Sequence, residues 1–340
     1  MNPVFFPAEW YPQSGVQVTW PHRDTDWSDM LEEVTRCYIA FSKEILKREK
    51  LLVVCRDAGE VTAYFSTTEK ENLILVEIES NDTWARDHGG IAVFEEGQPV
   101  LVDFGFNAWG LKFAANHDNL ITSRLYEKSA FLPGVAYRNR LDFIMEGGSI
   151  ESDGKGTILT TAACLLSPNR NGAMTKDQIE EQLQESLGAR RVLWLQHGYL
   201  KGDDTDSHID TLARFCDERT IAHVQRGEKG EEHFEELKAM EEELKSFVTV
   251  EGEPYRLIAL PMADAIYHEG KRLPATYANF LIINGAVLLP FYGSSKDEEA
   301  RKQLQTAFPD REVIGIDCLP LVKQYGSLHC VTMQYPKGFL

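Results

Sequence analysis

Five side chains that could take part in chemistry are spread along the sequence: Cys330, His208 and the carboxylates of Asp87, Asp210 and Glu146. A cysteine thiolate is a strong nucleophile, and a histidine can donate a proton and then remove one. Several carboxylates beside a thiol raise its pKa and disfavour the thiolate. The set therefore makes chemical sense with a cationic ligand. A guanidinium fits, because it is planar, permanently charged and binds carboxylates through paired hydrogen bonds.

The acidic segment KGDDTDSHIDTLARF, residues 201–215, supports more than one interpretation. Alternating carboxylates suit Ca²⁺ or Mg²⁺, but the glycine and the terminal glutamate of an EF-hand are missing. Zinc would need more histidine or cysteine ligands than this segment offers. A solvated acidic loop accounts for Asp203 and Asp204, but less well for His208 and Asp210. In an extended segment these last two point to one face, where they could serve the same ligand.

Asp87 and Glu146 each lie beside a pair of glycines. Glycines without a Cβ let a ligand approach the backbone closely, so Asp87 could reach a binding site and Trp84 could supply an apolar wall. An ion pair between Asp87 and the adjacent Arg86 is the structural alternative. Glu146 either caps a turn or reaches the same site.

Composition restricts the class of protein. The chain has 340 residues, 43% of them hydrophobic, which is enough for a sizeable core. A formal net charge of −18 disfavours nucleic acid and anionic lipid as partners and favours a cationic small molecule. The six cysteines show no CxxC pair, so free thiols in a reducing compartment are expected. No signal peptide or membrane-spanning run is visible, which predicts a cytoplasmic protein without a membrane partner.

Helical periodicity and capping signals predict four helices, at residues 28–48, 176–187, 228–247 and 296–307. Two of them begin with a predicted capping box, Thr175 with Gln178 and Ser295 with Glu298. Between the helices, a strand–turn–strand pattern occurs four times, at residues 91–104, 148–161, 209–224 and 279–291.

A polar cluster stands before each hairpin, which indicates a degenerate repeat. The markers are 59, 62, 71 and 51 residues apart and comprise Asp87, Glu146, His208, Asn279 and Cys330. The single strand after Cys330 is predicted to pair with the solitary strand at 15–20, which completes a fifth hairpin. We therefore predict one catalytic domain over residues 1–340, an α/β five-bladed pseudo-symmetric propeller of ββαβ units around a central channel. Two α+β domains without symmetry are the alternative.

Seven segments resemble, in order, the motifs of one known family, and together they span nearly the whole chain: FPAEWYPQSGVQVTWPHRDTDW, NDTWARDHGG, DFGFNAWG, EGGSIESDGKGTILTTAACLLSPNRN, GDDTDSHID, YANFLIINGAVLLP and LHCVTMQYP. The family is that of agmatine deiminases and bacterial-type peptidylarginine deiminases, which are guanidine-modifying hydrolases. Its fold is a five-bladed α/β propeller, which agrees with the repeat pattern.

The resemblance implies a role for each matching position. Cys330 matches the nucleophile and His208 the general acid/base. Asp87 and Asp210 match the carboxylates that bind the guanidinium. Further positions match substrate-binding motifs of the family, namely Glu146, Trp84, Trp109 and Asn279. The resemblance implies no metal and no organic cofactor, and it suggests a homodimer.

The substrate is left open by the sequence. Agmatine carries a second cationic amine that suits an acidic cavity, and its product, N-carbamoylputrescine, leads to putrescine and the polyamines. Free arginine would need a clamp for its carboxylate, and peptidylarginine an open pocket, so agmatine is favoured. Two alternatives from other classes are a non-catalytic guanidine- or polyamine-binding protein and a metal-dependent hydrolase built on the acidic cluster at 203–210.

Overall fold

A computed structural model describes residues 4–227 and 229–340, which form a mixed α/β fold. Residues 1–3 and residue 228, where one predicted helix was expected to begin, lie outside the described part.

The described residues form nineteen strands: β1 (Val4–Phe5), β2 (Gln13–Thr19), β3 (Lys50–Cys55), β4 (Leu73–Glu77), β5 (Ile91–Glu95), β6 (Gln98–Gly105), β7 (Ala136–Ile144), β8 (Ile150–Ser152), β9 (Thr157–Thr161), β10 (Arg191–Leu195), β11 (Ala213–Asp217), β12 (Thr220–Val224), β13 (Arg256–Leu260), β14 (Tyr267–His268), β15 (Lys271–Arg272), β16 (Leu281–Ile283), β17 (Ala286–Phe291), β18 (Glu312–Asp317) and β19 (Thr332–Pro336).

The helices of the same residues are α1 (Leu31–Leu46), α2 (Ala58–Thr62), α3 (Ala85–His88), α4 (Ala108–Leu111), α5 (Ile121–Glu127), α6 (Ala162–Leu165), α7 (Pro168–Asn171), α8 (Lys176–Leu187), α9 (Phe234–Ser246), α10 (Asp297–Gln305) and α11 (Leu319–Val322). Short 3₁₀ turns lie at Ser28–Met30, Glu69–Asn72, Asp118–Leu120, Gly147–Ser149 and Ile209–Thr211. None of the described helices is long and apolar enough to cross a membrane.

Five of the six sheets found in the described residues share one local order. In each, a middle strand pairs antiparallel with one neighbour and parallel with the strand that follows it across a helical connection. The strand orders are β19-β2-β3-β4, β1-β5-β6-β7, β8-β9-β10, β11-β12-β13 and β16-β17-β18. The sixth sheet is the hairpin β14-β15. The four predicted hairpins thus occur in the structure, each as an antiparallel pair.

The predicted pairing between the last strand and the strand near residue 15 is confirmed. β19 lies antiparallel to β2, with Thr332 opposite Val18 and Tyr335 opposite Gly15. β3 approaches β2 closely on its other side, because a Cβ at Gly15 would lie 2.4 Å from the Lys50 carbonyl oxygen. This position therefore requires glycine. The pairing fixes the turn that precedes β19, in which Cys330 lies.

Three of the four helix predictions agree closely with the structure. In α1 the residues at helical spacing, Val34, Tyr38, Phe41 and Ile45, are fully buried against the core. α8 begins with the predicted capping box, since Thr175 and Gln178 each bind the other's backbone N–H. α9 starts only at Phe234, later than its sequence pattern suggested.

The second predicted capping box is wrong. α10 begins at Asp297 with Lys296 at its N-cap, and no side chain caps it. The carboxylate of Asp264 accepts hydrogen bonds from the Ser295 backbone N–H at 2.8 Å and from the Ser294 hydroxyl at 3.0 Å. Glu298 pairs with Arg301 at 2.9 Å. A residue distant in sequence therefore holds the segment that Ser295 was expected to cap.

Tyr335 tests how strongly β19 is held. Its ring is fully buried and its hydroxyl donates to Gln17 Oε1 at 2.6 Å. We expect Tyr335→Ala to lower the free energy of unfolding by about 3–5 kcal/mol through the cavity it leaves. Tyr335→Phe should cost only about 1–2 kcal/mol, because only the hydrogen bond is lost. Urea unfolding measures both, with Tyr267→Ala, at a 62% exposed residue, as the control. Equal costs for the two Tyr335 variants would contradict the packing argument.

Candidate active site

A cavity of about 320 Å³ opens beside Cys330. Six aspartates line it: Asp24, Asp26, Asp82, Asp87, Asp118 and Asp204. Five aromatic side chains form most of the apolar wall: Trp84, Phe106, Trp109, Phe113 and Tyr325. Within the described chain, no lysine or arginine is among the lining residues. Burial raises the pKa of both Asp82 and Asp118 to about 7, so these two carry only part of their charge at neutral pH. The cavity is therefore acidic and aromatic, and an organic cation suits it.

The five predicted marker residues occupy equivalent places in the fold. Each lies just before the first strand of the antiparallel pair that is common to the five repeated sheets. Asp87 precedes β5, Glu146 precedes β8, His208 precedes β11, Asn279 precedes β16 and Cys330 precedes β19. The contacts among them show that these segments meet at one place.

Cys330 is 6% exposed and lines the cavity. Its Sγ lies 3.4 Å from Asn279 Oδ1 and 3.9 Å from Asp210 Oδ2. Burial and the charges of Asp210 and Asp87 raise the pKa of the Cys330 thiol well above its ordinary value. The thiol is therefore protonated at neutral pH unless a positive charge enters the site.

Asn279 is fully buried and does not line the cavity. Its Oδ1 accepts hydrogen bonds from the backbone N–H of His329 at 2.9 Å and of Cys330 at 3.3 Å. Its Nδ2 donates to the Asp210 carbonyl at 3.3 Å. Asn279 thus joins the segment of Asp210 to the turn of Cys330.

Two N–H groups of the protein donate hydrogen bonds to the carboxylate of Asp87, which lies near His208 and Asp210. Its Oδ1 accepts the Gly148 N–H at 3.0 Å and its Oδ2 accepts the Trp109 Nε1–H at 2.9 Å. Burial raises the pKa of Asp87 to about 6, with a contribution from Asp210. A Cβ at Gly148 would lie within 3.1 Å of His208, Asp87 and Asp210. Glycine at this position therefore lets the three side chains come together.

His208 is fully buried, and its Nδ1 lies 3.7 Å from Asp87 Oδ1, beyond hydrogen-bond distance. Burial lowers the pKa of His208, but the neighbouring Asp87, Cys164 and Glu146 outweigh burial and hold that pKa well above its ordinary value. The imidazole is therefore protonated at neutral pH and can act as an acid.

Asp210 differs from Asp87 in its surroundings. Burial alone would raise the pKa of Asp210, but the hydrogen bond from His329 and the charges of His329, His208 and Arg214 lower it. Its Oδ2 binds His329 Nδ1 at 2.7 Å. Its Oδ1 is buried and has no hydrogen-bond partner in residues 4–227 and 229–340. Asp210 is fully buried and is not itself a lining residue, but its Oδ2 lies 3.9 Å from the Sγ of Cys330, which is one.

Glu146 is fully buried and does not line the cavity. Arg170 Nε donates to both of its oxygens at 2.9 Å. Its carboxylate nevertheless lies within 4.8 Å of ligand atoms of Cys164 and His208, a trio that could hold a metal ion. The arginine already neutralises this trio, and Arg214 does the same for the second such trio, formed by Glu9, Glu151 and His329. A metal ion would therefore compete with a bound arginine in both places.

The two predicted tryptophans line the cavity. Trp84 Nε1 donates to Asp82 at 3.0 Å, and its ring meets that of Trp109 edge-on. Trp109 lies in α4, a single turn whose residues have positive φ, 56° at Trp109 itself. Non-glycine residues adopt this conformation at a cost of about 1–2 kcal/mol each. This left-handed conformation directs the Trp109 indole N–H to Asp87 Oδ2.

Asp204 differs from the solvated acidic loop that was one of the interpretations of its segment. It is half-buried and lines the cavity. Burial and the adjacent Asp203 raise the pKa of Asp204 to about 6. Sequence reasoning also passed over Cys164, beside His208, and Arg170, beside Glu146. Both lie in the quoted segment EGGSIESDGKGTILTTAACLLSPNRN, which was the available signal.

The fold and the cavity together define a class, an α/β protein with a buried thiol facing a cavity built for an organic cation. The chain belongs to the Porphyromonas-type peptidyl-arginine deiminase family, whose model matches residues 5–336. A solved structure from Porphyromonas gingivalis, provisionally assigned as an arginine deiminase, is 56% identical over 99% of both chains, with a TM-score of 0.96.

Two other relatives are named for agmatine. A cysteine-to-serine variant of C. jejuni agmatine deiminase, solved with substrate bound, is 39% identical over 98% of this chain and 97% of its own, with a TM-score of 0.92. A Legionella pneumophila protein provisionally named an agmatine deiminase is 32% identical over 98% of this chain and 96% of its own.

The charges around Cys330 can be tested without a substrate. Asp210→Asn removes one of the charges that raise the pKa of the thiol, so the pH midpoint of Cys330 alkylation should fall and the rate at fixed pH should rise about tenfold. Iodoacetamide labelling with peptide mapping follows Cys330 separately from the other cysteines. Asp204→Asn, in the same cavity, is the matched control and should leave the midpoint in place. An unchanged midpoint in Asp210→Asn would contradict the electrostatic account of the site.

Proposed function

We propose that this protein is an agmatine deiminase, which hydrolyses agmatine to N-carbamoylputrescine and ammonia. The observation that carries the proposal is the lining of the cavity, six carboxylates and, within the described residues, no lysine or arginine. Agmatine has a positive charge at each end. Free arginine would bring a carboxylate into this negative field, and no cation of the lining would meet it. The lining of the cavity therefore supports agmatine over free arginine as the substrate.

The proposed binding mode uses the two carboxylates near the thiol. The guanidinium lies between Asp87 and Asp210 and donates charge-assisted hydrogen bonds to the carboxylate on each side. Its positive charge offsets the two carboxylates that hold the pKa of the Cys330 thiol high. The thiolate therefore forms when the substrate is present. Trp84 and Trp109 cover the apolar faces, while Asn279 holds the turn of Cys330 and Glu146 supports His208.

The proposed reaction has two halves. Cys330 Sγ attacks the central guanidinium carbon, and the adduct collapses when His208 protonates one nitrogen, which leaves as ammonia. A thiouronium bound to Cys330 remains. His208, now neutral, removes a proton from water, the water oxygen bonds to the same carbon, and the C–S bond breaks to release the ureido product. The raised pKa of His208 supports its acid role in the first half. The captured substrate complex of the C. jejuni cysteine-to-serine variant fits a cysteine nucleophile.

The five repeated sheets support a finer proposal for the architecture, a single-domain five-bladed propeller. Each unit has the same ββαβ order and brings one polar residue to the site. The pairing of β19 with β2 joins the last unit to the beginning of the chain. A cytoplasmic location and a homodimer stay predictions of the sequence analysis.

Replacing the nucleophile tests the reaction. Cys330→Ala should abolish ammonia release from agmatine, because no other group in the proposed mechanism attacks the guanidinium carbon, and it should leave the free energy of unfolding nearly unchanged. Cys37→Ala, at a cysteine of similar burial, is the matched control and should keep normal turnover. The assay is run with a metal chelator present, and arginine and a blocked arginyl peptide serve as parallel substrates. Turnover by Cys330→Ala would exclude this mechanism, and preference for the peptide would overturn the substrate.

Asp204 is the proposed partner of the distal ammonium of agmatine. It lines the cavity, and its carboxylate has none of the hydrogen bonds that hold Asp82 and Asp118 in the described chain. Asp204→Asn should raise KM for agmatine about tenfold while kcat stays within about twofold. Butylguanidine, which lacks the ammonium, is the matched substrate and should be turned over equally by both proteins. An equal loss on both substrates would show that Asp204 does not recognise the ammonium.

A further inference from the structure

His329 is the neighbour of Cys330, yet its side chain serves a different set of contacts. Cys330 lines the cavity, whereas His329 is fully buried and is not a lining residue. The imidazole Nδ1 lies 2.7 Å from Asp210 Oδ2. The Nε2 lies 3.0 Å from Arg214 Nη2 and 2.7 Å from Glu9 Oε1. The side chain therefore connects Asp210 to a buried arginine.

Asp210 determines that Nδ1 of His329 carries a proton. The pKa of Asp210 is lowered, so its carboxylate is ionised and can only accept the hydrogen bond at 2.7 Å. The other nitrogen, Nε2, lies between a donor, Arg214 Nη2 at 3.0 Å, and an acceptor, Glu9 Oε1 at 2.7 Å. Both contacts keep the ring in the orientation that directs Nδ1 to Asp210.

Arg214 is itself fixed in place. Its Nε pairs with Glu151, and its Nη1 donates to the carbonyl oxygens of Ala278 at 3.2 Å and Phe280 at 2.8 Å. Its Nη2 also donates to Glu9 Oε2 at 2.5 Å. The arginine cannot turn away from His329 without breaking these bonds, and so the contact that orients the His329 ring is built into the fold.

The hydrogen bond from His329 leaves the other oxygen of Asp210 for the ligand. Oδ1 of Asp210 is buried and has no partner within the described chain, although a buried carboxylate oxygen normally has one. Asp87 differs, since protein donors already bind both of its oxygens. The two carboxylates of the proposed guanidinium site are therefore not equivalent.

We propose that His329 is a positioning residue, which holds Asp210 by one oxygen so that the other can accept a substrate N–H. This role rests on the proposed function, in which Asp210 binds the guanidinium. His329 touches neither the substrate nor the reacting atoms and acts only through Asp210. Arg214 and Glu9, at the far end of the chain of contacts, hold the His329 ring in the orientation that makes this possible.

The charged groups around the pair set the expected pH dependence. Glu9, Arg86 and Arg214 surround His329, and His208, Asp87 and Cys330 lie around Asp210. The His329 hydrogen bond is a cause of the lowered pKa of Asp210. Its loss should raise that pKa, so that Asp210 becomes protonated at a higher pH and the acid limb of kcat/KM moves upward.

Two amide substitutions separate positioning from simple packing. In His329→Asn, the amide nitrogen Nδ2 is as many bonds from Cα as Nδ1 of histidine, so its N–H can still donate to Asp210. In His329→Gln, the amide nitrogen lies one bond further out, near the position of Nε2 of histidine, and it cannot donate to Asp210. We expect His329→Asn to keep kcat/KM for agmatine within about threefold and the acid limb in place. His329→Gln should lose about tenfold or more, with the acid limb at higher pH.

Unfolding midpoints of both variants are measured beside the kinetics, because a merely structural role would scale the pH profile without moving it. An unmoved acid limb in His329→Gln, or an equal shift in both variants, would overturn the proposal. If His329→Gln does not fold, ¹⁵N-histidine NMR of the wild-type protein decides instead. A proton on Nδ1 of His329 is expected, and an unprotonated Nδ1 would overturn the proposal. Absence of agmatine turnover by the wild type would refute the proposed function alone, since the protonation of Nδ1 is measured without substrate.

Discussion

The structure depends on one electrostatic constraint, a thiol buried beside the carboxylates of Asp87 and Asp210, in a cavity whose described lining has no lysine or arginine and whose nearest protein cation is His208. Asp87 and Asp210 both raise the pKa of Cys330, and burial strengthens each interaction because little water screens it. Without a ligand, the carboxylates keep the Cys330 thiol protonated and so prevent it from acting as a nucleophile. A cationic ligand offsets their negative charge and allows the thiolate to form. The ligand that binds is therefore also the ligand that activates the thiol, which restricts the chemistry to substrates of one charge.

Two buried arginines neutralise three carboxylates behind the cavity. Arg170 holds Glu146, and Arg214 holds both Glu9 and Glu151. Asp87 has no such arginine partner, and the Oδ1 of Asp210 has no hydrogen-bond partner among the described residues. The arginine pairing explains how several ionised groups persist in the interior, since a buried charge is tolerated only when it is paired and hydrogen-bonded. Charge pairing beneath the cavity thus leaves the unpaired charge where binding occurs.

The repeated sheets supply the rigid frame that this arrangement needs. Each marker residue stands in a short segment before a strand, so its backbone is fixed by the sheet that follows. Gly148 then allows three side chains to approach within contact distance, and the left-handed turn of α4 brings the Trp109 indole onto Asp87. Sites built on the ends of regular elements keep their geometry better than sites on long loops. Local strain at α4 is offset by the packing around it.

Residue types and spacing were enough to predict the four hairpins and the capping box of α8, because alternating hydrophobicity, turn residues and capping residues are local signals. The pairing of β19 with β2 followed from the repeat, which left one unpaired strand near each end of the chain. The repeat spacing and the family resemblance grouped Cys330, His208, Asp87 and Asp210. The sequence by itself also carried the family resemblance that the comparisons confirmed. It could not show that Ser295 is held by Asp264, that Asp204 lines the cavity, or that Arg170 neutralises Glu146. Those partners are distant along the chain, and only tertiary packing brings them together. The same reason applies to His329, whose neighbour in sequence is the thiol but whose hydrogen-bond partners come from three other segments. Types and spacing of residues predict which groups can react, whereas the packed structure decides which charges are already paired.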